Sequence, residues 1–254
     1  MTAKTSSILI ATLLATVFYA NASTETDYLD DQLAQIQAEF NVQVHYRYDA
    51  NLFFPPEWHL QNLALSASEI EIGEATRMIA VIRQFLAAHP ASVIHTELEH
   101  IYLLKELNFG GKSYGGTHQK KSMYITCNGI ENGYVDDFML CRLQSEFSSI
   151  LFENHSFPTN NWILLNPQGF TYSGSGFEVL GNPCLYDYSD HLRAEGFLLI
   201  YSQSSLENDF NMISSWLFTK KGELDAVSQQ HAKIQQKQDL VEQFYKSLNA
   251  QYNF

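Results

Sequence analysis

The chain has 254 residues, 45% hydrophobic and 17% charged, with 28 acidic against 15 basic side chains. Its 17 Phe and 14 Tyr and its low charge content exclude a disordered chain, and no internal repeat points to a solenoid. A formal charge of −13 without a basic stretch argues against nucleic acid or an anionic membrane surface as partner, because like charge repels both.

Residues 1–22 read as a signal peptide. Lys4 supplies a positive start, Ile8 to Tyr19 form an apolar run too short to span a bilayer comfortably, and Ala20-Asn21-Ala22 provides an A-x-A cleavage site before Ser23. The alternative is an uncleaved anchor. Cleavage leaves one domain over residues 23–254 with no further transmembrane segment, and the expected location is periplasmic or secreted, in a bacterium. Export favours oxidation, and Cys127, Cys141 and Cys184 allow at most one intramolecular disulfide, whose pairing the spacing leaves open.

Leu29, Leu33, Ile36 and Phe40 fall at helical spacing, and Val42 to Tyr48 then alternates with period two, so a helix should lead into a strand. Pro55-Pro56 breaks the chain. Ile79, Ile82, Phe85 and Leu86 mark an amphipathic helix from Glu74 to Ala88, stopped near Pro90. Ile101 to Leu107 and Ser122 to Thr126 read as strands of a meander, with Asn108-Phe109-Gly110-Gly111 and Tyr114-Gly115-Gly116-Thr117 as turns. Neither glycine pair has the spacing of a phosphate-binding loop.

Asp136 or Asp137 opens the next helix, with Leu140, Leu143, Phe147, Ile150 and Leu151 on one face and an end near Asn154 to Pro158. Residues 159–197 should be mostly loops with short strands. Ser204 and Glu207 form an S-x-x-E capping box for a helix running to about Phe218, and a last helix covers roughly Glu223 to Leu248.

The segment Ser145-Glu146-Phe147-Ser148-Ser149 is the most informative for chemistry. In zinc peptidases of the H-E-x-x-H type, two histidines one helical turn apart bind the ion, and the glutamate beside the first activates the metal-bound water. On that template Ser145 and Ser149 occupy the histidine positions, while Glu146 keeps the place of the general base. His155 sits at the offset of the third histidine of the extended motif, with Phe152 where that motif turns at glycine. The bland reading of His155 is a residue interacting with the carbonyls at the helix end. His45, His95, His100 and His118 are further candidates, of which His95, His100 and His118 could approach this helix. Glu97, Glu99, Glu153 and Asp187 have no spacing that marks a glycosidase pair. Gly174-Ser175-Gly176 reads as a loop rather than a hydrolase elbow.

Several ordered blocks accompany this segment: Leu52-Phe53-Phe54-Pro55-Pro56-Glu57-Trp58, Ile101-Tyr102-Leu103-Leu104, Tyr114-Gly115-Gly116-Thr117, Glu146 to Leu151, Gly196-Phe197 to Tyr201, and Glu207-Asn208-Asp209-Phe210. In these blocks the chain resembles a family of candidate zinc-binding metallopeptidases of bacterial envelopes, related to zinc metallohydrolase lipoproteins associated with substrate import. The resemblance implies a zincin-like α+β fold, with a small sheet packed on a central site helix, further C-terminal helices, and a carboxylate from a later helix as third ligand. Glu207 is the first candidate for that carboxylate and Asp209 the second, with His155 a possible additional metal ligand.

Two expectations follow. In the first, the protein is an exported, catalytically degenerate metallopeptidase homologue that binds a peptide, a glycan or an envelope protein. In the alternative, it is an active metal-dependent peptidase with Glu146 as general base and non-standard ligands. Zinc is the cofactor the resemblance implies, but Ser145 and Ser149 leave its ligand set incomplete, since imidazoles give such sites their preference for zinc.

Overall fold

The computed structural model describes residues 25–60, 64–174, 176–179 and 186–254. The expected signal peptide over 1–22, Ser175 and Cys184 lie outside the described residues. In chain order the elements are helix α1 (25–40), strand β1 (Gln43–His45), α2 (Pro56–Leu60), β2 (Ser66–Glu69), α3 (Ile72–Ala87) and α4 (Ala91–Glu97). Strands β3 (His100–Phe109), β4 (Lys112–Ser113), β5 (Gly116–Gln119) and β6 (Ser122–Thr126) follow. The remainder is helical: α5 (Asp136–Asn154), α6 (Thr159–Leu164), α7 (Gly176–Val179), α8 (Asp190–Glu195), α9 (Leu206–Thr219), α10 (Lys221–Ser228) and α11 (Ala232–Leu248). The architecture is α+β, with an open six-stranded sheet, helices α1 to α4 before or between its first strands and the rest after it in the chain.

The strand path is β1-β3-β6-β5, with β2 and β4 also pairing with β3. The two strands expected from Ile101 to Leu107 and Ser122 to Thr126 lie side by side, but they run parallel, with Ile101 opposite Met123 and Leu103 opposite Ile125. The expected meander is therefore corrected. The short β4 and β5 intervene in sequence, and β5 then turns back antiparallel on the outer side of β6.

Side-chain alternation explains how both faces of β3 are covered. Ile101 and Leu103 join the main helical core with Met123 and Ile125, whereas Tyr102 and Leu104 join a smaller cluster with Phe53, Phe54 and Tyr124. Against β2, the pairing steps from Glu69↔Leu104 to Ser68↔Glu106, so β3 carries an extra residue at Lys105. That bulge reverses the alternation and puts Leu107 and Phe109 on the same side as Leu104.

On the helical side, α5 buries Leu143, Phe147, Ile150 and Leu151 and packs against α9, α3, β5 and β6. Two local expectations are revised. The cap of α9 is Ser205, whose hydroxyl accepts from the Asn208 amide at 3.0 Å; Ser204 instead donates to the Tyr201 carbonyl at 2.6 Å. The last helix is two helices, α10 and α11, with residues 229–231 between them. Gln238 ties the pair together by donating to Asp225 Oδ1 at 2.8 Å and accepting from Ser228 Oγ at 2.5 Å. Residues 159–197, expected to carry short strands, hold only short helices and loops where described.

Candidate functional site

Polar residues from α5, α9 and β5 meet where the sheet edge crosses the central helix. Arg142 and Glu146, one turn apart on α5, lie against the backbone of Gly115 and Gly116 at the start of β5. A Cβ on Gly116 would stand 2.6 Å from Glu146 Oε1, and one on Gly115 would overlap the Arg142 guanidinium. The glycine pair thus lets β5 approach α5 closely enough for His118 to reach it.

His118 bridges two carboxylates of α5. Its Nδ1 is 3.4 Å from Glu146 Oε2 and its Nε2 is 3.2 Å from Glu153 Oε1. Burial alone would favour the neutral ring, but the hydrogen bond and charge of Glu146, with the charges of Glu153 and Glu207, raise the His118 pKa to about 9. At neutral pH this favours the imidazolium, whose Nδ1–H donates to Glu146 while its charge pairs with Glu153 through Nε2.

Ser149 serves the third carboxylate. Its hydroxyl donates to Glu207 Oε1 at 2.5 Å and accepts from Asn211 Nδ2 at 2.7 Å, so α5 and α9 are joined through the residue at the second imidazole position of the zinc template. Tyr201 lies within the field of the same groups. Burial first, then the charge of Glu146 and the neighbouring Tyr186 and Glu207, hold its phenol far above the usual value and therefore protonated.

The other sequence candidates are engaged elsewhere. Asp209 is fully buried and pairs with Lys237 Nζ at 2.5 Å, also accepting from Trp162 Nε1 and the Tyr172 hydroxyl, both at 2.9 Å. It is held in the core rather than beside Glu146. His155 ends α5: its backbone amide donates to the Leu151 carbonyl at 3.0 Å, and its ring Nε2 is 3.0 Å from Glu97 Oε1. His100 pairs with His45 instead of approaching α5. Ser145 is half-buried beside Glu146 on α5. Cys127 and Cys141 are free thiols.

Among the described residues, no group of three or more His, Cys, Asp and Glu side chains could hold a metal ion. The donor chemistry gives the reason: the two positions that need imidazole carry hydroxyls, one committed to Glu207, and a neutral hydroxyl is a poor zinc ligand beside the imidazole, thiolate and carboxylate donors zinc takes. The residues present do not fit zinc.

No protein-family model and no curated protein matches the chain. Among solved structures, the fold is similar to a crystal structure from Bacteroides caccae ATCC 43185, described as a candidate zinc-binding metallo-peptidase. The TM-score is 0.56 at 13% identity, over 88% of this chain and 86% of that one. The likeness is one of fold. No helix of the described residues is long and apolar enough to cross a membrane.

Proposed function

We propose that the protein is an exported, catalytically degenerate relative of zinc metallopeptidases, and that it acts by binding an extended peptide of the cell envelope. The observation that carries this reading is the Ser149–Glu207 hydrogen bond of 2.5 Å. The residue standing where the template has its second imidazole hydrogen-bonds one oxygen of the carboxylate that the resemblance makes the third ligand. Glu146, in the place of the general base, is paired with His118 in the same manner. The His118 imidazolium offsets part of the negative charge of the converging carboxylates, and the Ser149 hydroxyl bonds one of them.

The preference for a peptide over a glycan rests on β5. It ends the strand path of the sheet and lies against α5, and its outer edge pairs with no strand among the described residues. An extended peptide meets such an edge with main-chain hydrogen bonds and sends alternate side chains toward the helix. The Glu146, Glu153 and Glu207 carboxylates then favour a peptide that carries no acidic side chain facing them.

Binding is tested with isotope-labelled protein and a set of amidated tetrapeptides. The expected result is a shift of the backbone amide signals of Gly116 to Gln119. Shifts produced by oligosaccharides and not by peptides would overturn the choice of partner. The competing reading, an active metal-dependent peptidase with Glu146 as base, requires chelator-sensitive cleavage that disappears in Glu146→Gln.

A further inference from the structure

On the face of the sheet turned away from α5, β1 and β3 bring two imidazoles together. Their parallel register sets His45 opposite Tyr102, and His100 stands two residues before Tyr102 on β3, so the three rings share one face. His45 Nε2 is 3.1 Å from His100 Nδ1. The His45 ring is stacked on Tyr102, with centroids 4.5 Å apart and planes at 15°, and Phe53 meets it edge-on. His100 leans on the same tyrosine at 5.8 Å. Neither imidazole has a carboxylate within ion-pair distance among the described residues, unlike His118 and His155.

We propose that His45 and His100 form a two-nitrogen chelate for a first-row divalent metal ion, with Cu²⁺ held more tightly than Zn²⁺. The geometry carries the proposal. With metal–nitrogen bonds of about 2.0–2.1 Å, adjacent ligand atoms stand about 2.9 Å apart in a square-planar site and about 3.3 Å apart in a tetrahedral one. The observed 3.1 Å lies between the two. Packing on Tyr102 and Phe53 limits ring motion, so little conformational freedom is lost on binding. The imidazole hydrogen bond carries one proton between the rings. On metal binding that proton passes through solvent to the other nitrogen of the same ring, and no net proton is released. Both rings are half-buried, which leaves the remaining coordination positions to water. Mg²⁺ and Ca²⁺, which prefer oxygen ligands, are excluded by the donor type.

The test uses untagged full-length protein and one equivalent of Cu²⁺. Electron paramagnetic resonance should show hyperfine structure from two nitrogens, and competition with a chromogenic chelator should give a 1:1 complex. His45→Gln and His100→Gln should each remove the two-nitrogen pattern and weaken Cu²⁺ binding by about tenfold or more, while His191→Gln, at a side chain 81% exposed, should change neither. An unchanged spectrum in either chelate variant would overturn the proposal. Should the variants not fold, Zn²⁺ added to the unmodified protein keeps the question open to measurement. Ring-nitrogen signals of both His45 and His100 must then shift at one equivalent, and their failure to move would overturn it equally.

Discussion

Ser149 donates to Glu207 Oε1 at 2.5 Å while accepting from Asn211 Nδ2 at 2.7 Å, joining the central helix α5 to α9. With Ser149 only 2% exposed, water cannot take its place without rearrangement. Ser149→Ala removes the donor to Glu207 and leaves the Asn211 amide one acceptor short. A hydrogen bond to a charged group contributes about 1.5–3 kcal/mol, so the variant should be less stable by about that amount and unfold at a lower urea concentration. Equal midpoints in urea titrations of the two proteins would show that the bond contributes nothing.

His118 makes stability depend on pH in a defined direction. Its pKa rises from 6.5 to about 9 on folding, so its contribution is fully present below pH 6.5 and is lost as pH climbs through about 9. Urea unfolding of the native protein and of His118→Gln should differ most near pH 6 and converge at alkaline pH. A proton-NMR titration should place the His118 midpoint near 9; a midpoint at 6.5 or below would break the bridge to Glu146 and Glu153.

Much of this arrangement is legible in the sequence, and the failures have physical causes. The apolar spacing of Leu143, Phe147, Ile150 and Leu151 marks α5, and the runs at Ile101 and Ser122 mark two strands of one sheet, because burial on one face or both leaves a period. The parallel pairing of β3 with β6 is hidden, since the glycine turns between them read equally well as those of a meander. The break between α10 and α11 carries neither Gly nor Pro. His118 pairs with a residue 28 positions away, a contact that no local period encodes. Its one visible signal is the preceding Gly115-Gly116 pair, which leaves room for Arg142 and Glu146. Glu207, named from the resemblance, meets Ser149 of α5. Asp209, two residues on, faces the core, as a helical rotation of about 200° requires.

That rotation gives Asp209 a different role and a different test. Asp209 and Lys237 are both fully buried; burial pushes the carboxyl up and the amine down, while each partner opposes the shift of the other. Removing one charge strands the other, so Asp209→Asn should destabilise by about 3–5 kcal/mol. An apolar double replacement, Asp209→Leu with Lys237→Met, should recover the part due to the stranded charge but not the part due to the lost acceptor of Trp162 and Tyr172. Thermal unfolding distinguishes this pair from a surface ion pair, whose removal would change stability by less than about 1 kcal/mol.

Restoring the imidazoles tests the template alignment. Ser145→His with Ser149→His should increase zinc affinity at α5 even when His45→Gln and His100→Gln are present to silence the sheet chelate. Isothermal titration of that quadruple variant against His45→Gln with His100→Gln alone measures the gain. Equal zinc binding by the two would mean that Ser145 and Ser149 do not stand where the template needs its ligands.

The central claim is that Glu146 is a charge partner of His118 and not the base of a working peptidase. The most direct measurement is cleavage of a quenched-fluorescent peptide library by the native chain, by Glu146→Gln, and by the native chain after chelator treatment. The account predicts no cleavage above background in any of the three. Cleavage by the native chain that vanishes both with chelator and in Glu146→Gln would contradict it.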